Sequence, residues 1–198
     1  MNKTGIIIMA AGNSSRLGRP KQLLPYRGKT LLTHVVTEAL SAALDPVIVV
    51  TGAFREEISL SLQGYSVDVV YNPRWEEGMA SGIGAGLSKI LSRDPGIEAV
   101  ILAVCDQPYL TAGLLSELVE EHRGSRKGMV ACSYADAVGT PALFGQGYFR
   151  DLSNLSGSEG AKKLLRLHGN DLVTIPFPQG NIDIDTEEDY QALAGKKY

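Results

Sequence analysis

Cysteine is nearly absent from this chain, and the absence narrows its chemistry. Only Cys105 and Cys132 occur in 198 residues, with no Cys-x-x-Cys and no histidine pair beside either. A disulfide framework and a thiolate zinc site are thereby excluded. The two thiols read as small buried hydrophobes in a reducing compartment, which points to the cytoplasm. Histidine is almost as scarce: His34, His122 and His168 stand singly on expected helices and read as structural or exposed. Charge of one sign is also missing. A formal net charge of -3 argues against a surface that coats nucleic acid, while a local positive patch still suits an anionic small molecule. No apolar run approaches the roughly 20 residues that cross a bilayer. The N-terminal apolar run is too short for a signal peptide and lacks a basic leader. Linkers and low-complexity stretches are absent too, so residues 1–198 are expected to form one domain around one sizeable core.

Glycine, by contrast, is plentiful, and its placement is informative. Residues 5–9 (Gly-Ile-Ile-Ile-Met) suit a buried strand, and the chain then breaks into a loop holding Gly12 and Gly18, with Arg16 and Lys21 at fixed offsets. A buried strand that runs into a glycine loop is how α/β proteins bring backbone N–H groups against a phosphate chain. Cations in that loop then face the negative charge. The loop is not a P-loop, because no Gly-Lys-Ser/Thr closes it, and Gly12 and Gly18 lie too far apart for a dinucleotide fingerprint.

Further on, strands and helices alternate. Apolar runs at 6–9, 47–50, 67–71, 100–104 and 129–133 predict strands, and 140–144 and 172–175 predict two more. Helical spacing marks 31–44, 54–62, 82–91 and 111–122, with Thr111 as an N-cap, and a last helix starts near Thr186 behind Glu187, Glu188 and Asp189. This order predicts an α/β fold: a single-domain, mainly parallel Rossmann-like sheet with helices on both faces. Ligands of such sheets bind outside the carboxyl ends of the strands, so the loops after Met9, after Val104 and around Asp183 are expected to meet in one cleft. The stretch 134–180 is richer in Gly, Pro and Ser and reads as an excursion that builds one side of that cleft.

Ala10-Ala-Gly-Asn-Ser-Ser-Arg16-Leu-Gly-Arg-Pro-Lys21 resembles the signature loop of the MobA-like nucleotidyltransferases. Five more blocks are similar to that family, in its order: Asn72-Pro-Arg-Trp-Glu-Glu-Gly-Met-Ala-Ser81, Asp106-Gln-Pro108, Gly139-Thr-Pro141, Gly157-Ser-Glu-Gly160 and Asp183-Ile-Asp185-Thr. The resemblance implies the nucleotidyltransferase fold and transfer of a nucleotidyl group from a nucleoside triphosphate to a phosphorylated acceptor, with Mg²⁺. It implies that residues 1–110 mostly bind the nucleotide and 134–180 mostly the acceptor. The Ala10-Ala11-Gly12 corner and Asp106-Gln-Pro resemble the cytidylyl branch, which implies CTP as donor, molybdenum-bearing molybdopterin as acceptor, and a passing contact with a molybdoenzyme or its chaperone. It gives no role to nucleic acid or to a membrane.

Residue by residue, each role competes with an ordinary one. Asp106, directly after a buried strand, is placed to hold Mg²⁺ against phosphate, since magnesium takes one or two carboxylates plus phosphate oxygens; it also suits a loop cap. Asp185 resembles the family's second metal-proximal aspartate and is equally suited to cap the last helix, with Asp183 as second choice for the metal. Arg16 and Lys21 are the catalytic cations, acting by position and charge; Arg19 reads as mostly solvated. Ala10, Ala11, Gly12, Asn72, Gly78 and Ser81 resemble the nucleotide-binding set, Ser81 also being a natural N-cap. Gly82 and Gly84, where relatives carry larger residues, leave open either close helix packing or room for substrate. Pro141, Gly157, Gly160 and Lys162 resemble the acceptor-binding set, with Ser158 and Lys162 standing where the family usually has Asp and Arg. Two other functions stay open: transfer to another phosphomonoester, such as a sugar or polyol phosphate, and a binding protein that delivers nucleotide or cofactor without turnover.

Overall fold

A computed structural model describes residues 3–135, 137–157 and 160–195. Ser158 lies outside the described residues. One seven-stranded sheet runs through the molecule: β1 (Thr4–Ala10), β4 (Val47–Thr51), β5 (Asp68–Tyr71), β6 (Ala99–Val104), β7 (Met129–Tyr134), β8 (Ala137–Gly145) and β9 (Leu172–Pro176). Their spatial order is β5-β4-β1-β6-β8-β7-β9. All pair in parallel except β8, which runs antiparallel between β6 and β7. Two short strands, β2 (Pro25–Tyr26) and β3 (Lys29–Thr30), form a separate hairpin.

The apolar run of β1 explains the two layers. Ile6, Ile8 and Ala10 point into one core, packed against α1 (Leu31–Ser41), α2 (Arg55–Ser61) and α4 (Ala112–Ser125); Ile7 points into the other, against α3 (Met79–Arg93), α5 (Phe149–Ser153) and α6 (Lys162–Leu167). A strand buried on both faces reads as continuous hydrophobic sequence, and period-two alternation sends its side chains to opposite sides. The last helix, α7 (Glu187–Ala194), packs instead around the hairpin, with Leu193 in one cluster with Tyr26 of β2 and the flanking Leu24 and Leu31. No described helix is long and apolar enough to cross a membrane. Both cysteines are free and buried, as expected.

The chain travels outward from β1 through β4 to β5, with α1 and α2 on one face. It then crosses back over the other face through α3 to β6. The winding therefore reverses between β1 and β6, and a doubly wound sheet opens its binding crevice at the carboxyl end of that reversal.

Two glycines set how closely α3 approaches the sheet. A Cβ on Gly82 would collide with the Met9 methyl, and one on Gly86 would sit 2.5 Å from Ile7 Cγ2, whereas Gly84 faces open space. Close packing is thus the reason for Gly86; at Gly82 only the movable Met9 methyl stands in the way, and Gly84 has no packing reason. The same chemical change should therefore act with opposite sign along one helix. Gly84→Ala should raise the thermal midpoint, because alanine gains up to about 1 kcal/mol over glycine in a helix. Gly86→Ala should lower it, since overpacking costs about 1–3 kcal/mol. Thermal unfolding followed by circular dichroism decides; two shifts of the same sign would overturn the packing argument.

Candidate active site

The loop after β1 is held open by its own polar residues. Ser14 adopts a left-handed backbone (φ 50), and its carbonyl receives the N–H groups of Leu17 and Gly18; Gly18 is left-handed too (φ 73). The Lys21 backbone N–H donates to Ser14 Oγ at 3.1 Å. Beneath the loop lies Gln22, 1% exposed, whose Nε2 donates to the carbonyls of Ala10 (3.0 Å) and Gly12 (2.8 Å). A buried amide is costly unless its partners are supplied, so these two bonds pin the strand end and the glycine in one shape. Gln22 was not foreseen as part of the site; a polar residue directly ahead of Leu23-Leu24 was the available signal.

The charges converge as the sequence placed them. Lys21 Nζ lies 2.5 Å from Asp106 Oδ2 and 2.8 Å from Asp185 Oδ1, and Arg16 reaches the other Asp185 oxygen at 2.6 Å. Arg16 is 69% exposed and approaches from outside, while Lys21 is 17% exposed and sits within the cleft. Burial works against the Lys21 charge, but Asp106 and Asp185 outweigh it and hold the ammonium above its ordinary range. The hydrogen bond from Lys21 draws Asp185 below the usual carboxylate range; burial pushes Asp183 upward, helped by Asp106.

Asp185 does not cap α7. Thr186 does, in a reciprocal box with Asp189, which leaves the Asp185 carboxylate for Lys21 and Arg16. Arg19 is exposed, as expected, and on the surface it pairs with Glu187 at 2.7 Å and lies over the Tyr190 ring. Asp106, Asp183 and Asp185 each offer one oxygen, all within 4.8 Å of one another. Three hard oxygen donors at that spacing fit a small divalent cation, and carboxylates with no sulfur or imidazole among them suit magnesium or manganese over zinc.

Beside a hollow of about 360 Å³ lined by Arg16, Asp183 and Asp185, two hollows that share Asp106 open from this charged centre. The smaller, about 270 Å³, is framed by Ala10, Ala11, Gly12, Asn72, Trp75 and Gly78, and includes Lys21 and Asp106. Gly52 makes its back wall possible: a Cβ there would meet the Ala11 carbonyl oxygen at 2.5 Å and Trp75 at 2.7 Å. Ser81 stands in the first turn of α3, and Gly78, left-handed in φ at 105, is the residue before the helix. The expected N-cap role of Ser81 is therefore corrected, because the helix begins earlier than the apolar spacing implied. Its hydroxyl accepts from Asn72 Nδ2 (2.8 Å) and lies 2.8 Å from the carbonyls of both Arg74 and Gly78. Asn72, 2% exposed, also receives the Arg74 N–H. Ser81 thus ties the Asn72–Gly78 loop rather than lining the hollow.

The larger hollow, about 580 Å³, shares Met9, Met79, Val104 and Asp106 with the smaller. Its apolar wall includes Ile83, Leu102 and Leu165; its polar wall includes Gln107, Tyr134, Thr140, Lys162 and Asp183. Among the sequence-proposed acceptor residues, Lys162 lines it. Pro141 is buried between two residues that do, Thr140 and Ala142. Gly160, left-handed (φ 58), packs against Met79, which lines both hollows, and Gly157 is a left-handed turn residue (φ 80) outside them. The three histidines stay out of both hollows.

Residues 6–172 match the family described as the MobA-like NTP transferase domain. The chain belongs to that family. Nicotine blue oxidoreductase of Paenarthrobacter nicotinovorans and the purine catabolism protein PucB of Bacillus subtilis are each 30% identical to it, over 94% of both chains. A probable molybdenum cofactor guanylyltransferase of Nostoc is 28% identical over 99% of this chain and 93% of its own. Among solved structures, Rv0371c of Mycobacterium tuberculosis superposes with a TM-score of 0.81 at 30% identity over 100% of both chains. Its complex with manganese superposes with a TM-score of 0.75 at 29% identity over 97% of both. The MobA-like enzyme is a nucleotidyltransferase, and in this member Lys21 links Asp185 to Asp106, which both hollows share.

Proposed function

We propose that this protein transfers a cytidylyl group from CTP to the phosphate of molybdenum-bearing molybdopterin, with Mg²⁺, in a reducing cytoplasm. One observation carries the reading: Lys21 bridges Asp106 and Asp185 where the two hollows share Asp106. The smaller hollow takes the nucleotide and the larger the acceptor. An oxygen of the acceptor phosphate forms a bond to the α-phosphorus while the bond from that phosphorus to the bridging oxygen of the β-phosphate breaks, and pyrophosphate leaves with the electron pair. Magnesium, when held by Asp106 and Asp185 with Asp183 beside them, supplies neutralising charge to the phosphate oxygens. Lys21 and Arg16 turn from the carboxylates to the triphosphate and the charge that builds on it. Such transfers need position and charge more than covalent help. The binding-only alternative has less support, since a carrier has no use for an acidic cluster beside a phosphate cradle.

The base reading rests on the narrow Ala10-Ala11-Gly12 corner, closed by Trp75, and on Asn72 held by Ser81. A pyrimidine suits that corner better than a purine, and hydrogen-bonding groups built for one base reject another that leaves them unpaired. The test is a pyrophosphate-release screen of the four ribonucleoside triphosphates against molybdenum-loaded molybdopterin, with sugar and polyol phosphates alongside. CTP should win, and Ser81→Ala should narrow its lead by loosening Asn72. A preference for GTP would move the chain to the guanylyl side of the family. Release with a sugar or polyol phosphate but not with molybdopterin would replace the acceptor.

A further inference from the structure

The larger hollow contains a tyrosine that the chain goes to some length to place. Tyr134 ends β7 and half-buries its ring between two glycines. A Cβ on Gly139 would collide with the Tyr134 hydroxyl, and one on Gly180 would collide with the ring edge. Phe177 meets the ring edge-on, 6.5 Å between centroids. Both flanking segments are tied to one side chain. Gln107, 3% exposed, donates Nε2 to the carbonyls of Thr140 (3.0 Å) and Gly180 (2.8 Å). Gln107 directly follows Asp106, so the slot around Tyr134 is fixed relative to the charged centre.

Two donors then share one place. The Lys162 stem would lie 3.5 Å from the same Cβ on Gly139 that the Tyr134 hydroxyl excludes. Lys162 has no ion pair among the described residues, and it is the sole cation lining this hollow, opposite Asp106 and Asp183. The Tyr134 hydroxyl interacts with the Thr140 side chain. A threonine that donates to the phenol oxygen leaves the phenol proton for a ligand. Burial keeps the phenol protonated, above its ordinary range. An ammonium and a phenol flanking the same glycine and lining one hollow suit an oxyanion.

We propose that Tyr134 and Lys162 form a two-donor grip for the phosphate monoester of the acceptor, with Gln107 as the positioning residue that sets it against Asp106. The proposal rests on reading the larger hollow as the acceptor side. The grip holds the two non-attacking oxygens and turns the third toward the nucleotide.

The probe is inorganic phosphate, titrated calorimetrically into the full chain loaded with Mg²⁺ and a CTP analogue whose α and β phosphorus atoms are joined by methylene. The analogue fills the triphosphate sites, so added phosphate reports the other side. The wild type should bind it, and Tyr134→Phe and Lys162→Gln should each weaken it about tenfold, the scale of one hydrogen bond to a charged group. Gln107→Glu puts oxygen against two carbonyls and should weaken phosphate similarly. In turnover it should raise the acceptor KM and leave the CTP KM unchanged, a split that general loosening of the fold would not give. Equal phosphate affinity in wild type and Tyr134→Phe, or parallel loss of analogue binding in that variant, would overturn the grip. If no triphosphate is turned over with any acceptor while phosphate binding still depends on Tyr134, the transferase reading falls and the grip stands. If turnover is found and Tyr134→Phe leaves the acceptor KM unchanged, the grip falls alone.

Discussion

Asp106→Ala should lower turnover at least about a hundredfold, the scale of deleting one charge-stabilising group from an active site. The fold should survive. Asp106 follows β6 in a loop, its neighbours Cys105 and Gln107 carry the buried contacts, and Lys21 keeps Asp185 as a partner at 2.8 Å. The loss should persist at saturating Mg²⁺, because the variant lacks the carboxylate among the four residues that line both hollows. Asp106→Asn keeps the shape and removes the charge, so it should lose nearly as much; if it retained most activity, the residue's role would be hydrogen bonding and not cation binding. Manganese binding followed by electron paramagnetic resonance separates the two effects without turnover, since both variants should weaken it. Near-normal pyrophosphate release from Asp106→Ala at high Mg²⁺ would remove Asp106 from the centre of the site and leave Asp183 and Asp185 to be tested in its place.

The legibility of this site in the sequence was uneven, and the reasons are physical. Residues 6–9, 47–50 and 100–104 announce their strands because burial on both faces demands unbroken apolar sequence. The glycine loop and the cations announce a phosphate site because their spacing is local. The direction of β8 was not legible: an apolar run says that a strand is buried and says nothing of which way it runs. The hairpin at Pro25–Tyr26 and Lys29–Thr30, and the five- and six-residue helices α5 and α6, are too short to show a period. Asp106 and Asp185 were found because motifs carried them. Gln22 and Tyr134 were not, and Gln107 stood inside the Asp106-Gln-Pro108 block without a role of its own. Their partners are backbone carbonyls or backbone gaps, and those of Gln107, together with the Gly180 side of the Tyr134 slot, come from distant stretches of chain. Ser81 shows the converse error: a serine near a helix start looks like a cap, yet the helix begins two residues earlier and the hydroxyl serves the loop before it.

Lys21→Met should raise the apparent KM for the triphosphate and lower kcat together. The ammonium meets the triphosphate in the ground state and the growing charge in the transition state, and loss of an interaction made in both appears in both constants. Methionine keeps the length and the apolar stem, so the Ser14–Lys21 backbone bond and the shape of the loop should persist. A second measurement runs in the opposite direction. In the free protein Lys21 sits between Asp106 and Asp185, at 2.5 and 2.8 Å, and so competes for the carboxylates that would hold a cation. Removing it leaves three carboxylates with oxygens within 4.8 Å and, among the described residues, Arg16 at the solvent side as the cation paired with them. Manganese alone should therefore bind Lys21→Met more tightly than the wild type, while CTP binds it more weakly. Direct titration of each, without acceptor, gives both numbers. Weaker manganese binding in the variant would mean that Lys21 organises the acidic cluster and does not occupy its place. A change confined to the acceptor KM would move Lys21 to the other side of the cleft and exchange the roles assigned to the two hollows.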